Sequence, residues 1–238
     1  MSLSLNSSFS RQLRQEADPI FNAIYEHPFV QGIAKGTLGR EQLIHYVKQD
    51  FEYLNAYMRV YGLGISKCTD RQDIAMFNDK IGFILNSEVH PHHNFCRVAG
   101  VSYEELQGYP LAPTAQHYTK HMLSVAAQGT LGEIFAVLLP CPWTYMESAA
   151  RIIRDVQPGL DHPFYEWIRF YGDTLIQPRM QLLCDRLDEW AVTASPQEKE
   201  RMREHFLISS QLEYKFFDMA YTLQDWPVQV LGGEPVEH

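Results

Sequence analysis

The sequence predicts an all-α protein, a helical bundle folded as a single domain, and three observations support this prediction. Apolar residues recur with the 3.6-residue period of an α-helix along most of the chain. The alternating apolar and polar residues of strands are almost absent, as are the Asn-Gly and Asp-Gly turns of hairpins. Capping boxes, in which a Ser or Thr and a later Glu satisfy free backbone N–H groups, occur at Ser102–Glu105, Thr130–Glu133 and Ser195–Glu198.

These signals place the helices in order along the chain. Pro196 stands at the first position of the last helix, where the missing N–H of proline has no intrahelical partner to lose. Glycine and proline residues mark the main connections, at 98–113 and 155–163. We therefore predict helices at 9–26, 40–66, 71–98, 114–128, 131–155, 162–190 and 196–223, with a short one at 102–107.

The chain shows no sign of a division into domains. No internal repeat, low-complexity linker or change in composition interrupts it. We therefore predict one domain over residues 1–238, with an ordered core at about 9–226 and frayed ends that include the Gly- and Pro-containing tail 229–238.

The charge and cysteine content argue against several classes of protein. With 20 Lys and Arg against 29 Asp and Glu the net charge is −9, and no basic cluster suggests a nucleic-acid partner. The four cysteines are widely spaced, which disfavours a zinc site and is typical of reduced thiols in a cytosol. No stretch reaches the ~18 apolar residues of a membrane span, and the N-terminus lacks a secretion signal. We expect a cytoplasmic protein that binds neither nucleic acid nor membrane.

Three reactive side chains stand within apolar stripes at helical spacing. Asp50 and Glu213 belong to the stripes of the second and the last predicted helices, where a buried carboxylate must be paired or used because an unpaired one costs several kcal/mol. Cys141 belongs to a third stripe, and Pro140 and Pro142 beside it force a local break that costs about 3 kcal/mol. The stripes consist of Leu43, Tyr46, Val47, Leu54, Tyr57, Met58 and Tyr61 around Asp50; Met202, Phe206, Ser209, Phe216 and Ala220 around Glu213; and Ile134, Val137, Leu138, Tyr145, Ala149 and Ile152 around Cys141.

Each of these three residues also has an ordinary structural interpretation. A single buried cysteine is more often an inert core residue than a nucleophile. Taken singly, Asp50 and Glu213 could each belong to a structural ion pair or a helix cap. The conjunction of one thiol and two inward acids on three distant helices, each among Tyr and Phe, favours a covalent-addition site in an aromatic pocket.

Six blocks of the sequence resemble those of the TenA family, in the family's order, and together they span nearly the whole chain. This family, the thiaminase II or aminopyrimidine aminohydrolase group, has a haem-oxygenase-like helical fold. The cysteine of LLPCPWTY makes the chain similar to the branch that uses a thiol nucleophile. The blocks are HPFVQGIAKGTL (27–38), YVKQDFEYL (46–54), PTAQHYTKHM (113–122), LLPCPWTYMESA (138–149), FYEWIRFYG (164–172) and ISSQLEYKFFDMAY (208–221).

The resemblance implies a role for each site residue. Cys141 would attack the electron-poor pyrimidine ring, Glu213 would relay protons to and from the ring and leaving group, and Asp50 would hydrogen-bond the aminopyrimidine edge. Pro142 departs from the family's pattern, which has a variable and often aromatic residue there. The positions that match the family's pocket lining are Tyr53, Tyr118, Tyr145, Tyr171 and Phe216.

The implied reaction hydrolyses 4-amino-5-aminomethyl-2-methylpyrimidine, or thiamin, to 4-amino-5-hydroxymethyl-2-methylpyrimidine in thiamin salvage, without a cofactor or metal. Thiolate addition dearomatises the ring, so the substituent on the exocyclic methylene can leave before water adds and the thiol is expelled. A free thiol titrates near ~8.5, so a nearby base is needed, and Glu213 is the candidate. Both substrates present the same ring, so the sequence does not distinguish them. The resemblance also implies a homotetramer.

Three other interpretations stay open at this point. A metal-dependent oxidase on the same scaffold could use Glu88, His92 and His93 of SEVHPHHNF, although a solvated histidine-rich turn at Pro91 is the simpler explanation. A regulatory protein is disfavoured by the acidic charge and by the lack of a basic recognition helix. A protein that only binds a pyrimidine would present the same aromatic cage.

Overall fold

The predicted all-α class is confirmed by the structure, a computed structural model that describes residues 8–87, 89–172 and 176–228. Within these ranges there are twelve α-helices, one 3-10 turn and no strand. The helices are α1 (Phe9–Glu16), α2 (Asp18–Glu26), α3 (Pro28–Lys35), α4 (Arg40–Ile65), α5 (Arg71–Asn86), α6 (Val89–Ala99), α7 (Pro113–Gln128), α8 (Leu131–Leu138), α9 (Pro140–Val156), α10 (Tyr165–Gly172), α11 (Ile176–Thr193) and α12 (Pro196–Thr222), with the 3-10 turn at Glu104–Leu106.

The two longest helices, α4 and α12, are central to the packing. Helix α4 contacts α5, α6, α7, α8 and α12, and α12 also contacts α2, α3, α7, α8 and α9. The buried face of α4 includes Tyr46, Asp50 and Tyr57, and that of α12 includes Glu213 and Phe216. Because the two helices pack against each other, the acids of their apolar stripes both lie in the protein interior.

The helix caps hold α8 and α12 in place. Thr130 and Glu133 form the predicted capping box of α8, with Glu133 N donating to Thr130 Oγ1 at 3.3 Å and Thr130 N donating to Glu133 Oε2 at 2.7 Å. Ser195 accepts the predicted hydrogen bond from Glu198 N at 3.2 Å. The Glu198 carboxylate, however, accepts hydrogen bonds from Thr130 and Trp190, so it links α8, α11 and α12 instead of completing its own box.

Four of the predicted helices are each divided in two, and a proline marks two of the divisions. The prediction of one helix over 9–26 is wrong because α2 starts afresh at Asp18 and Pro19. The helix predicted at 131–155 ends at Leu138, and α9 begins at Pro140. The helices predicted at 71–98 and 162–190 are α5 with α6, and α10 with α11.

Helix α3 is absent from the sequence prediction. It begins at Pro28, a residue that fits the first helical position, and the His27 ring accepts a hydrogen bond from the Phe29 N–H as its cap. It ends at Gly36, whose φ of 70° is the left-handed conformation that glycine adopts readily. Proline and glycine thus stand at the two ends of this helix.

Some predictions concern residues outside the described ranges. These include Glu88 of the alternative metal site and most of the predicted frayed ends, at 1–7 and 229–238. Among the helices that the structure describes, none combines the length and apolarity needed to cross a membrane.

Candidate active site

Cys141 lies in the first turn of α9, on the wall of an internal cavity. Pro140 and Pro142 are the first and third residues of this helix, where N–H groups have no intrahelical partners, so both prolines fit without strain. The break predicted around the cysteine is therefore the start of a new helix. The Cys141 side chain is 9% exposed, and the N-terminus of a helix favours a negative group such as a thiolate.

Glu213 lies in the middle of α12 and is only 2% exposed. Its Oε1 accepts a hydrogen bond of 2.6 Å from the Tyr118 hydroxyl. Burial raises the pKa of Glu213 to about 8, and the nearby Asp50 adds to the rise, whereas hydrogen bonds from Tyr118 and Cys141 oppose it. A carboxyl group with this pKa can accept and release a proton near neutral pH.

Asp50 lies on the inner face of α4 and is 5% exposed. Its Oδ2 is 2.6 Å from Nε2 of His92, a residue of α6 that is itself 2% exposed. A buried carboxylate is costly without a partner, and this histidine supplies one. The identity of this partner is not evident from the sequence.

The structure brings the three predicted reactive groups together. Cys141 and Asp50 both lie close enough to Glu213 to shift its pKa, with Asp50 raising it and the thiol lowering it. The groups come from α4, α9 and α12, and α12 packs against both of the other helices. Their placement is as the sequence analysis expected, and their roles in catalysis stay predictions.

The five predicted aromatic residues form ring contacts around these groups. The ring centroids of Tyr53 and Tyr118 are 4.9 Å apart, those of Tyr53 and Phe216 5.4 Å, and those of Tyr145 and Tyr171 4.9 Å. Burial raises the pKa values of Tyr53, Tyr118 and Tyr145 well above the ordinary value, so these hydroxyls keep their protons and can donate. The Tyr53 hydroxyl faces Tyr118 but has no well-formed hydrogen bond with a described residue, so a ligand could use it.

The cavity beside Cys141 has a volume of about 60 Å³, smaller than the 300–1,000 Å³ common for small-molecule sites. Of the predicted site residues, Cys141, Tyr145 and Tyr171 line it, and the other five are buried but do not line it. The rest of the lining is mainly apolar and aromatic, with two basic residues. It consists of Leu54, Tyr57, Tyr61, Lys80, Phe83, Ile84, Pro142, Arg179, Met180 and Leu183.

Sequence reasoning missed several residues of this region, although some carried a signal. Tyr57 and Tyr61 belong to the same helical stripe as Asp50 and could have been assigned to the pocket. Lys80 is spaced in phase with the buried apolar residues of α5, and its Nζ donates to a backbone carbonyl of α11. His92 was expected to be a metal ligand or part of a solvated turn, but it is buried within α6. Its pairing with Asp50 depends on the packing of α6 against α4.

The alternative metal site is not formed by the residues that the structure describes. In this part of the chain, no group of three or more His, Cys, Asp and Glu side chains is arranged to hold a metal ion. The two ring nitrogens of His92 lie against Asp50 and the Tyr103 hydroxyl, and His93 points outward as an exposed residue.

Comparison with known proteins decides the family. The model of the TENA/THI-4/PQQC family matches residues 14–223 of the sequence. This chain belongs to the TENA/THI-4/PQQC family. The resemblance carried by the six sequence blocks is therefore confirmed.

Two curated relatives support the same assignment. A protein of Halalkalibacterium halodurans named aminopyrimidine aminohydrolase is 38% identical over 220 residues, which is 92% of this chain and 98% of the relative. A protein of Helicobacter pylori with the same name is 34% identical over 89% of this chain and 98% of the relative.

Two solved structures share the fold. A TenA family transcription regulator from Silicibacter sp. aligns with a TM-score of 0.80 at 26% identity, over 91% of this chain and 97% of that one. A domain with a haem oxygenase-like fold from Shewanella denitrificans aligns with a TM-score of 0.66 at 12% identity, over 90% of this chain and 92% of that domain. The predicted haem-oxygenase-like helical fold is thus confirmed.

Proposed function

We propose that this protein is an aminopyrimidine aminohydrolase of thiamin salvage that works through covalent addition of Cys141. The relatives named aminopyrimidine aminohydrolase support the reaction class. The observation that carries the mechanism is the placement of the Cys141 thiol, on the wall of an aromatic cavity, near Glu213, a buried carboxyl group whose pKa is about 8.

The first half of the reaction forms a carbon–sulfur bond. The Cys141 proton passes to the Glu213 carboxylate, and the thiolate sulfur adds to a ring carbon of the pyrimidine next to the one that carries the exocyclic methylene. The ring loses its aromaticity, and its electron pair then expels the substituent on the methylene. Glu213 returns its proton to the departing amine, so ammonia leaves from the aminomethyl substrate.

The second half restores the enzyme. Water adds to the exocyclic methylene, and the Glu213 carboxylate takes one of its protons. The carbon–sulfur bond breaks, the ring becomes aromatic again, and the thiolate recovers the proton from Glu213. The balance is one aminomethylpyrimidine and one water consumed, and one hydroxymethylpyrimidine and one ammonia formed.

Orientation of the ring is assigned to Asp50 and the surrounding tyrosines. The Asp50 carboxylate can accept a hydrogen bond from the amino group of the substrate. The protonated hydroxyls of Tyr53 and Tyr145 can donate hydrogen bonds to the substrate. Stacked and edge-on rings suit a flat heteroaromatic ligand. The aromatic wall therefore fits a pyrimidine.

Turnover by the wild-type protein is the test of this function. We expect 4-amino-5-hydroxymethyl-2-methylpyrimidine to form from both the aminomethylpyrimidine and thiamin, and a comparison of kcat/KM ranks the two substrates. Binding of the pyrimidines without turnover of either would instead support a protein that only holds the ligand.

The assembly and the location are further parts of the proposal. We expect a homotetramer in the cytoplasm, as the resemblance to the family implies. Tyr109, Tyr221 and Trp226 are exposed by 40%, 40% and 49%, and exposed aromatic residues suit subunit contacts. Light scattering after size-exclusion chromatography measures the mass, and a value near that of the 27.6 kDa monomer would contradict the tetramer.

A further inference from the structure

His92 is tied to Asp50 in the interior but belongs to none of the catalytic steps described above. Its Nε2 lies 2.6 Å from Asp50 Oδ2, and its Nδ1 lies 3.3 Å from the Tyr103 hydroxyl. We propose that His92 is a positioning residue that acts through Asp50 on recognition of the amino edge of the substrate. This inference rests on the proposed function, because it concerns how the same site holds an aminopyrimidine.

The donors and acceptors of the three groups define one arrangement. An ionised Asp50 only accepts hydrogen bonds, so Nε2 of His92 must carry the proton that lies between them. In the neutral ring Nδ1 is then an acceptor, and the Tyr103 hydroxyl donates to it. Burial raises the pKa of Tyr103, so this hydroxyl keeps its proton. Tyr103 therefore sets the tautomer of His92 that Asp50 requires.

This arrangement leaves one carboxylate oxygen for the ligand. Oδ2 of Asp50 is occupied by His92, whereas Oδ1 accepts no hydrogen bond from any residue that the structure describes. Asp50 also lies close enough to Glu213, Tyr46 and Tyr145 to raise their pKa values. The free oxygen thus lies near Glu213 and Tyr145, which are assigned to the site, and a substrate amino group there could donate to it.

Packing fixes the orientation of the histidine ring. His92 is 2% exposed, and its ring centroid is 5.4 Å from that of Tyr103 and 6.3 Å from that of Tyr46. A ring held by two aromatic neighbours can keep the carboxylate at one angle, which is how outer partners orient the groups that touch a ligand. A purely structural tie between α4 and α6 would use the same contacts, so the test must separate the two roles.

The test compares two ligands that differ only in the amino group. One is 4-amino-5-hydroxymethyl-2-methylpyrimidine, and the other is the same pyrimidine without its amino group. Dissociation constants are measured by calorimetry for the wild type, His92→Leu, His92→Gln and Tyr103→Phe. His90→Leu, an exposed position of the same helix, is the control.

We expect His92→Leu to weaken binding of the amino ligand by about tenfold to a hundredfold, as is common when the partner of a ligand-binding group is lost. Binding of the ligand without the amino group should change by less than about twofold, which is within the additivity error of independent sites. His92→Gln should recover most of the affinity because its amide can donate to Asp50. Tyr103→Phe should lie between the wild type and His92→Leu.

A double-mutant cycle with Asp50→Asn checks that the effect passes through Asp50. In the Asp50→Asn background, His92→Leu should cost little further affinity for the amino ligand. Equal losses for both ligands, additive losses in the cycle, or no rescue by His92→Gln in a protein with an unchanged melting temperature would overturn the inference. If His92→Leu fails to fold, the affinities of His92→Gln and Tyr103→Phe for the two ligands still test the inference.

Turnover assays keep this inference apart from the proposed function. Absence of hydrolysis in the wild type, together with the expected ligand selectivity, would reject the reaction and leave the role of His92 standing. Normal hydrolysis without that selectivity would reject only the role of His92.

Discussion

The Tyr118 hydroxyl donates a 2.6 Å hydrogen bond to Oε1 of Glu213, across a sequence separation of 95 residues. Burial of Glu213 favours its neutral form, and this hydrogen bond favours the charged form. The balance places the pKa of the carboxyl group at about 8, where it can exchange a proton with a thiol.

Removal of this donor should shift the pH dependence of activity. The mechanism needs Glu213 as a base, so kcat/KM for thiamin should rise with pH through about pH 8. In Tyr118→Phe the Glu213 carboxylate loses a stabilising hydrogen bond, so its pKa rises. The acidic limb of the plot of kcat/KM against pH should therefore move to higher pH by roughly 1 unit. Tyr109→Phe, at an exposed position, is the control. An unshifted or lowered limb in Tyr118→Phe would reject the assignment of Glu213 as the base.

Replacement of Glu213 should trade activity for stability. The folded-state pKa of about 8 lies above the ordinary 4.5, so Glu213 loses its proton at a lower pH in the unfolded chain than in the folded protein. The wild type therefore loses stability as the pH rises from about 4.5 to about 8. Glu213→Gln has no such loss. Its melting temperature should exceed that of the wild type by ~5 °C or more at pH 8, with a smaller difference at pH 5.

The same variant should lose at least about a hundredfold in kcat because it cannot relay a proton. Glu204→Gln, an exposed substitution on the same helix, should change neither the melting temperature nor the rate. If Glu213→Gln is less stable than the wild type at pH 8, the buried carboxylate does not destabilise the fold.

Close packing of α8 against α11 and α12 depends on Gly132. A Cβ at this position would collide with the Trp190 side chain and lie 2.7 Å from the Met202 sulfur. Gly132→Ala should therefore lower the free energy of unfolding by about 1–3 kcal/mol. Gly62→Ala on α4 is the matched control because it meets nothing within 4 Å, and alanine should stabilise that helix by up to about 1 kcal/mol. Equal effects in denaturant titrations would contradict this account.

Much of the fold and of the site follows from helical periodicity. The spacing of apolar residues put Asp50, Glu213 and Cys141 on inward faces, and all three are buried in the structure. The capping box at Thr130–Glu133 marked the start of α8 correctly because it is a purely local signal.

Features that depend on contacts between distant helices could not be predicted in this way. The pairing of His92 with Asp50 arises from the packing of α6 against α4, and the pKa of Glu213 arises from burial among side chains of other helices. At prolines, the sequence predicts that a helix is interrupted but not where the next helix begins. Pro140 was expected to break a helix, but the sequence does not say that α9 begins there with Cys141 in its first turn.

The role of the Cys141 sulfur is the central claim, and kinetics of Cys141→Ser test it most directly. Hydrolysis of the aminomethylpyrimidine and of thiamin should be abolished, while the affinity for the hydroxymethylpyrimidine product stays within about tenfold, or ~1.4 kcal/mol, of the wild type. Cys96→Ser, at a cysteine buried to a similar degree on α6, should keep its activity. Undiminished turnover by Cys141→Ser would contradict covalent catalysis by this thiol.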